Sequence, residues 1–167
     1  MLTFYDIVYG VSSPGLVPYF LFRYAQKRKN FESLKAMLGS GLQRFREFRD
    51  SLPHTPVAWF HAVSMGEVNV ARAVIAEFHR QLPEYSVIVS TITETGQNNA
   101  RQHLRELSRL VFYHPVDLSP IVRKFLTALR PSVYVMMETE LWPNMLIQAK
   151  QRGVKIFLVN GKISDRS

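Results

Sequence analysis

From Val57 onward, short apolar runs alternate with stretches of a different periodicity. "VAWFHAV", "SVIVST", "RLVFY", "SVYVMME" and "KIFLV" are rich in β-branched and aromatic residues and show little alternation, the pattern of strands buried on both faces. Between them, apolar residues recur at three- and four-residue steps: Val68, Ala71, Ile75, Phe78 and Leu82; Ala100, Leu104 and Leu107; Val122, Phe125 and Leu129. Strands alternating with amphipathic helices predict βαβ units, hence an α/β fold with a parallel sheet and helices on both faces. In such sheets ligands bind at the carboxyl ends of the strands, so the residues following each strand are the ones to examine for chemistry.

The chain before Val57 reads differently. Residues 31–49, "FESLKAMLGSGLQRFREFR", carry a helical pattern broken at Gly39-Ser40-Gly41. Phe31, Leu34, Met37 and Leu38 share one face, and Leu42, Phe45 and Phe48 another. "SLPHTP" is a linker, because its two prolines end any helix. Residues 31–56 are therefore read as a basic helical segment and linker. Residues 1–30 begin apolar and aromatic and end in Arg23, Lys27, Arg28 and Lys29. Positive charge after the apolar region is the wrong order for a cleaved signal peptide. Asp6, Gly10, Pro14, Gly15 and Pro18 interrupt what a clean span of about 20 apolar residues would need. The expectation is an interfacial or shallowly inserted anchor, its basic cluster among anionic headgroups on the cytoplasmic side. The competing reading is an amphipathic segment packed on the domain.

Charge narrows the partners. Of 167 residues, 21 are Lys or Arg and 13 Asp or Glu, a formal net charge of +8 that favours an anionic partner. The basic residues are not interleaved with aromatics on one strand face, as a base-stacking platform requires, so nucleic acid is not the expected partner. No cysteine is present, which removes disulfides, thiolate nucleophiles and cysteine metal sites. No histidine or carboxylate spacing suggests a metal site, and neither G-x-G-x-x-G nor a Walker A sequence occurs.

The strand-following segments are polar: "SMGE", "TITETGQNNAR", "HPVDLSP", "ETELWPN" and "NGKISDRS". Helix N-termini at these rims suit phosphates and carboxylates. Each rim also has a purely structural reading. Ser64 and Glu67 fit a capping box, in which the carboxylate only satisfies a backbone N–H. Thr93 or Thr95 can be an N-cap, Asp117 can cap a helix starting near Leu118, and Thr139 can cap the next helix with Pro143 in its first turn. Glu138 and Glu140, two carboxylates flanking one threonine, are not both required by local periodicity. His61 and His114, at strand ends, are read as hydrogen-bonded structural residues.

Taken in order and spacing, "HAVSMGE", "STITETGQ", "YHPVDLSP", "METELWPN" and "VNGKISDRS" resemble one family, the 3-deoxy-D-manno-octulosonic acid (Kdo) transferases of lipopolysaccharide synthesis. The resemblance runs from about residue 4 to the last residue, and "METELWPN" is its most specific piece. His114, where an aliphatic residue is expected, and Lys162, where arginine is common, depart from the pattern. The resemblance implies the Rossmann-like N-terminal half of a GT-B glycosyltransferase, with residues 57–167 forming an incomplete acceptor-binding domain. It implies a lipid A precursor as acceptor and CMP-Kdo as donor, the donor held by a C-terminal domain outside these residues. The chain is then expected to be a fragment or a truncated product, inactive alone.

By the same resemblance, Glu67 matches the catalytic base and Glu138 a position that stabilises an oxocarbenium-like transition state. No metal or cofactor takes part in the family's chemistry. An ionised carboxylate is favoured at a helix N-terminus and can accept a proton. Substrate contacts are expected from Ser64, Gly66, Thr93, Thr95, Gly96, Glu140, Asn144, Asn160, Lys162, Ser164 and Arg166. The expected location is the cytoplasmic face of the inner membrane. The alternative is a non-catalytic, membrane-associated module that binds glycolipid.

Overall fold

The computed structural model describes residues 4–7 and 28–160. Most of the expected anchor, and Lys162, Ser164 and Arg166, lie outside the described residues. Among the described residues five strands form one parallel sheet: β1 (Val57–His61), β2 (Ser86–Thr91), β3 (Leu110–Tyr113), β4 (Val133–Met136) and β5 (Lys155–Leu158). All five coincide with the predicted apolar runs. Their order is β3-β2-β1-β4-β5. The chain winds outward from β1 to β3, crosses back, and continues from β4 to β5 on the other side of β1. β1 and β4 are therefore neighbours whose following segments depart in opposite senses, the switch point at whose carboxyl ends ligands bind in sheets of this kind.

Helices cover both faces. α3 (Met65–Gln81) and α4 (Glu94–His103) pack on one, burying Val68, Ala71, Ile75 and Ala100 against Ala58, Phe60, Val87 and Val89. α5 (Ser119–Leu129) and α6 (Pro143–Gln151) pack on the other, burying Val122, Phe125, Met145 and Ala149 against Trp59, Ile88 and Tyr134. Strand residues thus alternate between two apolar cores, which is why no polar alternation shows in the sequence. β1, β2 and β4 are buried throughout; β5, at the sheet edge, exposes Phe157 and Leu158.

The segment before β1 belongs to the same core. α1 (Arg28–Met37) and α2 (Leu42–Asp50) are separated by Gly39 (φ 102°) and Gly41 (φ 80°), left-handed conformations that end one helix and start the next. Phe45 of α2 is buried, its ring 4.9 Å from Phe112 and 5.6 Å from Phe125. Residues 4–7 are helical, and the Asp6 carboxylate accepts from Ser119 N–H at 2.9 Å and the Asn144 amide at 3.2 Å. This part of the expected anchor therefore touches the domain, while Phe4 and Ile7 stay exposed. Among the described residues no helix is long and apolar enough to cross a membrane.

Candidate functional site

The rims of the three central strands are stitched together by backbone hydrogen bonds beyond the strand ends. His61 C=O accepts from Met137 N–H at 2.9 Å, which brings Glu138 beside the β1 rim. Val63 C=O accepts from Ile92 and Thr93 N–H, both at 3.3 Å, and from the Thr93 hydroxyl at 3.2 Å. The β1 turn is thus fixed from both sides before any side chain acts.

Within that turn the capping box is formed. The Glu67 carboxylate accepts from Val63 N–H (2.7 Å), Ser64 N–H (3.2 Å) and the Ser64 hydroxyl (2.9 Å), and Ser64 Oγ accepts from Glu67 N–H (3.4 Å). Both carboxylate oxygens are held, and Glu67 is only 9% exposed. The box therefore fixes the orientation of the carboxylate at the β1 rim.

Glu138 is half-buried, and Glu140 is exposed at the rim. Partial burial raises the Glu140 carboxyl above its ordinary value, and the negative charges of Glu67 and Glu138 raise it further. Glu67 in the first turn of α3 and the two carboxylates after β4 thus lie near one another beyond the ends of β1 and β4. No group of three His, Asp or Glu among the described residues is arranged to hold a metal ion.

The glycines of the rim differ. A Cβ on Gly96 would lie 2.9 Å from Thr93 Oγ1 and 3.0 Å from Val63 C=O, so glycine there permits α4 to abut the β1 turn. A Cβ on Gly66 would meet only Ser64 Oγ at 3.9 Å, and Gly66 faces open space. Thr93 is the N-cap of α4, accepting from Gly96 N–H at 3.0 Å, and Thr95 is exposed beside it. Asn160 closes the described chain in a left-handed conformation (φ 59°).

Two expectations about caps are corrected. Asp117 does not cap the helix that follows it: its carboxylate accepts from Asn144 N–H (3.0 Å) and Met145 N–H (2.8 Å), capping α6 instead. Thr139 is not the N-cap of α6 either. That helix starts at Pro143, so Glu138 to Trp142 form a loop, and Asp117 supplies what Thr139 would have. Asn144 is fully buried, its amide shared among Asp117 C=O (2.6 Å), Asp6 and Ser119 Oγ (3.2 Å). It joins three segments of the fold. Sequence reasoning missed this polar junction because its partners are distant along the chain; the only local signal was an aspartate just ahead of a helix.

Beneath the rim lie His61 and His114, ring centroids 4.0 Å apart. His114 bonds Tyr134 Oη and Pro115 C=O, each at 3.0 Å, and His61 Nδ1 bonds Ser90 Oγ at 3.0 Å, as expected of structural histidines. Burial pushes His61 down to about 4 against a smaller opposing effect of the Ser90 carbonyl. Burial, then the His61 charge, hold His114 well below its usual value. Both are neutral at pH 7.

A family profile described as 3-deoxy-D-manno-octulosonic-acid transferase (kdotransferase) matches residues 39–167. The chain belongs to this family. It is 35% identical over 112 residues to the 3-deoxy-D-manno-octulosonic acid transferase of Chlamydia trachomatis serovar D, covering 67% of this chain and 26% of that protein. The Chlamydia pneumoniae enzyme of the same name is 30% identical over 165 residues, 96% of this chain and 36% of the relative. The Haemophilus influenzae one is 31% identical over 117 residues, 70% and 27%. The chain therefore spans between 26% and 36% of the length of these curated relatives. In the Kdo transferase family this parallel sheet with helices on both faces is the Rossmann-like N-terminal half of a GT-B glycosyltransferase.

Proposed function

We propose that the chain supplies the acceptor side and the catalytic base of an inverting Kdo transferase of lipopolysaccharide biosynthesis. The supporting observation is the nearness of Glu67, Glu138 and Glu140 beyond the ends of β1 and β4 in a member of this family. Glu67 removes the proton from a sugar hydroxyl of a lipid A precursor as that oxygen bonds to the anomeric carbon of Kdo. The bond from that carbon to the phosphate oxygen of CMP breaks, CMP leaves with the electron pair, and the configuration inverts. The box around Glu67 keeps the carboxylate oriented, so little reorganisation accompanies proton transfer. Glu138 offsets the positive charge that develops on the donor sugar. Gly66, Thr95 and Glu140, exposed at the rim, are assigned to acceptor contacts together with Ser64, Thr93, Asn160, Lys162, Ser164 and Arg166. Gly96 and Asn144, both buried, act by positioning the rim.

The donor, CMP-Kdo, is assigned to a second domain. Residues 1–30 are assigned to attachment at the cytoplasmic face of the inner membrane, a reading favoured by the exposed Phe4 and Ile7 and by the basic cluster from Arg23 to Lys29. The test is a chimera in which residues 1–167 are continued by the donor half of the Haemophilus influenzae relative. Once CMP-Kdo binding is verified, incubation with a lipid A precursor should release CMP and yield a Kdo-glycolipid of inverted anomeric configuration. A donor-binding chimera that forms no glycolipid would count against the proposal.

A further inference from the structure

A cavity of about 440 Å³ opens at the carboxyl end of β3, between α1, the turn at Gly41 and α4. That volume lies within the range of small-ligand sites. Its walls bring together Arg44 of α2 and Arg101 of α4, and Tyr113 and Asn98 line it as well. We infer that this cavity is a second binding site, one that takes a phosphoryl group between Arg44 and Arg101.

Two arginines from different elements line one concavity, and among the described residues neither is ion-paired with a carboxylate. Juxtaposed like charges are unfavourable unless an anion lies between them. The repulsion is felt at Arg44, which is lowered first by desolvation and then by the charge of Arg101. Arg101 is also oriented. With the buried Gln97 amide turned so that its nitrogen donates to Thr91 Oγ1 and Phe112 C=O, its oxygen accepts from Arg101 at 3.3 Å. That bond restrains one N–H of the Arg101 guanidinium and leaves the others able to pair with the oxygens of a phosphate.

The turn before α2 adds donors. Its N-cap is Gly41, which offers no side chain to the first-turn N–H groups, and a Cβ there would meet nothing within 4 Å. Gly41 lines the cavity, so the helix starts at the cavity's edge with the positive end of its dipole toward open space. Two carboxylates also line the cavity. Glu32 is paired to Lys35 at 3.1 Å. Burial and then the charge of Glu94 raise the Tyr113 phenol against a smaller opposing effect of Arg101, so it stays protonated and able to donate. Guanidinium forks, a phenol, an amide and an open helix start together favour a phosphate dianion over a neutral sugar.

The cavity shares α4 with the candidate active site: the start of that helix abuts the β1 turn through Gly96, while Asn98 and Arg101 face the cavity. The site itself does not depend on the transferase reading; only the assignment of the phosphate to an acceptor headgroup does. The test titrates the full chain with inorganic phosphate at constant ionic strength and follows the Nε–H signals of Arg44 and Arg101 by NMR. Saturable shifts at both arginines and at the Leu42 and Gln43 amides are expected. Affinity should fall at least tenfold in Arg44→Gln and in Arg101→Gln, and stay unchanged in Arg46→Gln, a charge-matched control on the same helix. Shifts that do not saturate, or that spread equally over all basic residues, would overturn the inference, as would unaltered affinity in both variants. Competition then identifies the source. Displacement of phosphate by a phosphorylated lipid A precursor, and not by its dephosphorylated form, supports the site and assigns the group to a lipid headgroup. Saturable binding that neither lipid disturbs supports the site for a soluble phosphoester. Neither donor nor turnover is involved, so the outcome is independent of whether the chain's family activity is as proposed.

Discussion

One methyl group separates the two glycines of the rim in their consequences. At Gly96 a Cβ would press on Thr93 Oγ1 and on the Val63 carbonyl, a backbone atom that cannot swing away. Gly96→Ala should therefore cost about 1–3 kcal/mol, an overpacking cost that outweighs the better helix propensity of alanine. Gly66→Ala meets no such obstacle and should leave urea stability unchanged or slightly raised. Paired denaturation curves of the two variants check both signs. The buried histidines give a second prediction at this scale. His61 is lowered to about 4 in the fold from an ordinary 6.5, so the unfolded chain binds the extra proton. The stability it contributes is present above pH 6.5 and is lost as pH falls through about 4. The slope is about 1.4 kcal/mol per pH unit for each proton. His114 is lowered as well and steepens the loss. Melting temperature should drop across this window, and His61→Phe should flatten the dependence.

At the level of elements, the helix starts separate what was legible in the sequence from what was not. The Ser64–Glu67 box and the Thr93 cap join residues three apart, and both could be read from spacing. The caps of α5 and α6 could not, because Asp6 reaches Ser119 across 113 positions and Asp117 reaches Asn144 across 27. Asp117 looked like a local cap because aspartate before a helix usually is one; here tertiary packing offers it the N-terminus of a neighbouring helix. The strands were legible because β-branched runs bounded by polar rims have few other uses, although the exposure of β5 follows from its place at the sheet edge and not from its composition. Asp117 also carries a prediction. It is 3% exposed and accepts from two N–H groups with separate oxygens. Asp117→Ala should cost about 2–3 kcal/mol, from loss of a cap and of charge-assisted hydrogen bonds. Thr139→Ala, at the position expected to cap the same helix, should cost almost nothing. Urea denaturation of both variants decides which residue caps α6.

For the whole molecule, strand order is what turns scattered rims into a site. Alternating strands and helices imply a parallel sheet but not the sequence β3-β2-β1-β4-β5, and it is the pairing of β1 with β4 in that order that sets Glu138 and Glu140 beside Glu67. The resemblance of the motifs named Glu67 and Glu138; the topology supplies a physical reason for their nearness. The structure also refines how Glu67 is to be tested. Its two oxygens accept from Val63 and Ser64 N–H separately, and glutamine has only one acceptor oxygen, so Glu67→Gln is not silent toward the fold. A loss of about 1–2 kcal/mol is expected from the cap alone. Activity must therefore be measured well below the melting temperature of the variant, with near-ultraviolet dichroism showing it folded. Under those conditions, at saturating lipid A precursor and CMP-Kdo, the donor-domain chimera carrying Glu67→Gln should turn over about 10²- to 10⁴-fold more slowly than its parent. A folded Glu67→Gln chimera that keeps its turnover within about threefold of the parent would contradict the account and leave Glu67 a cap alone.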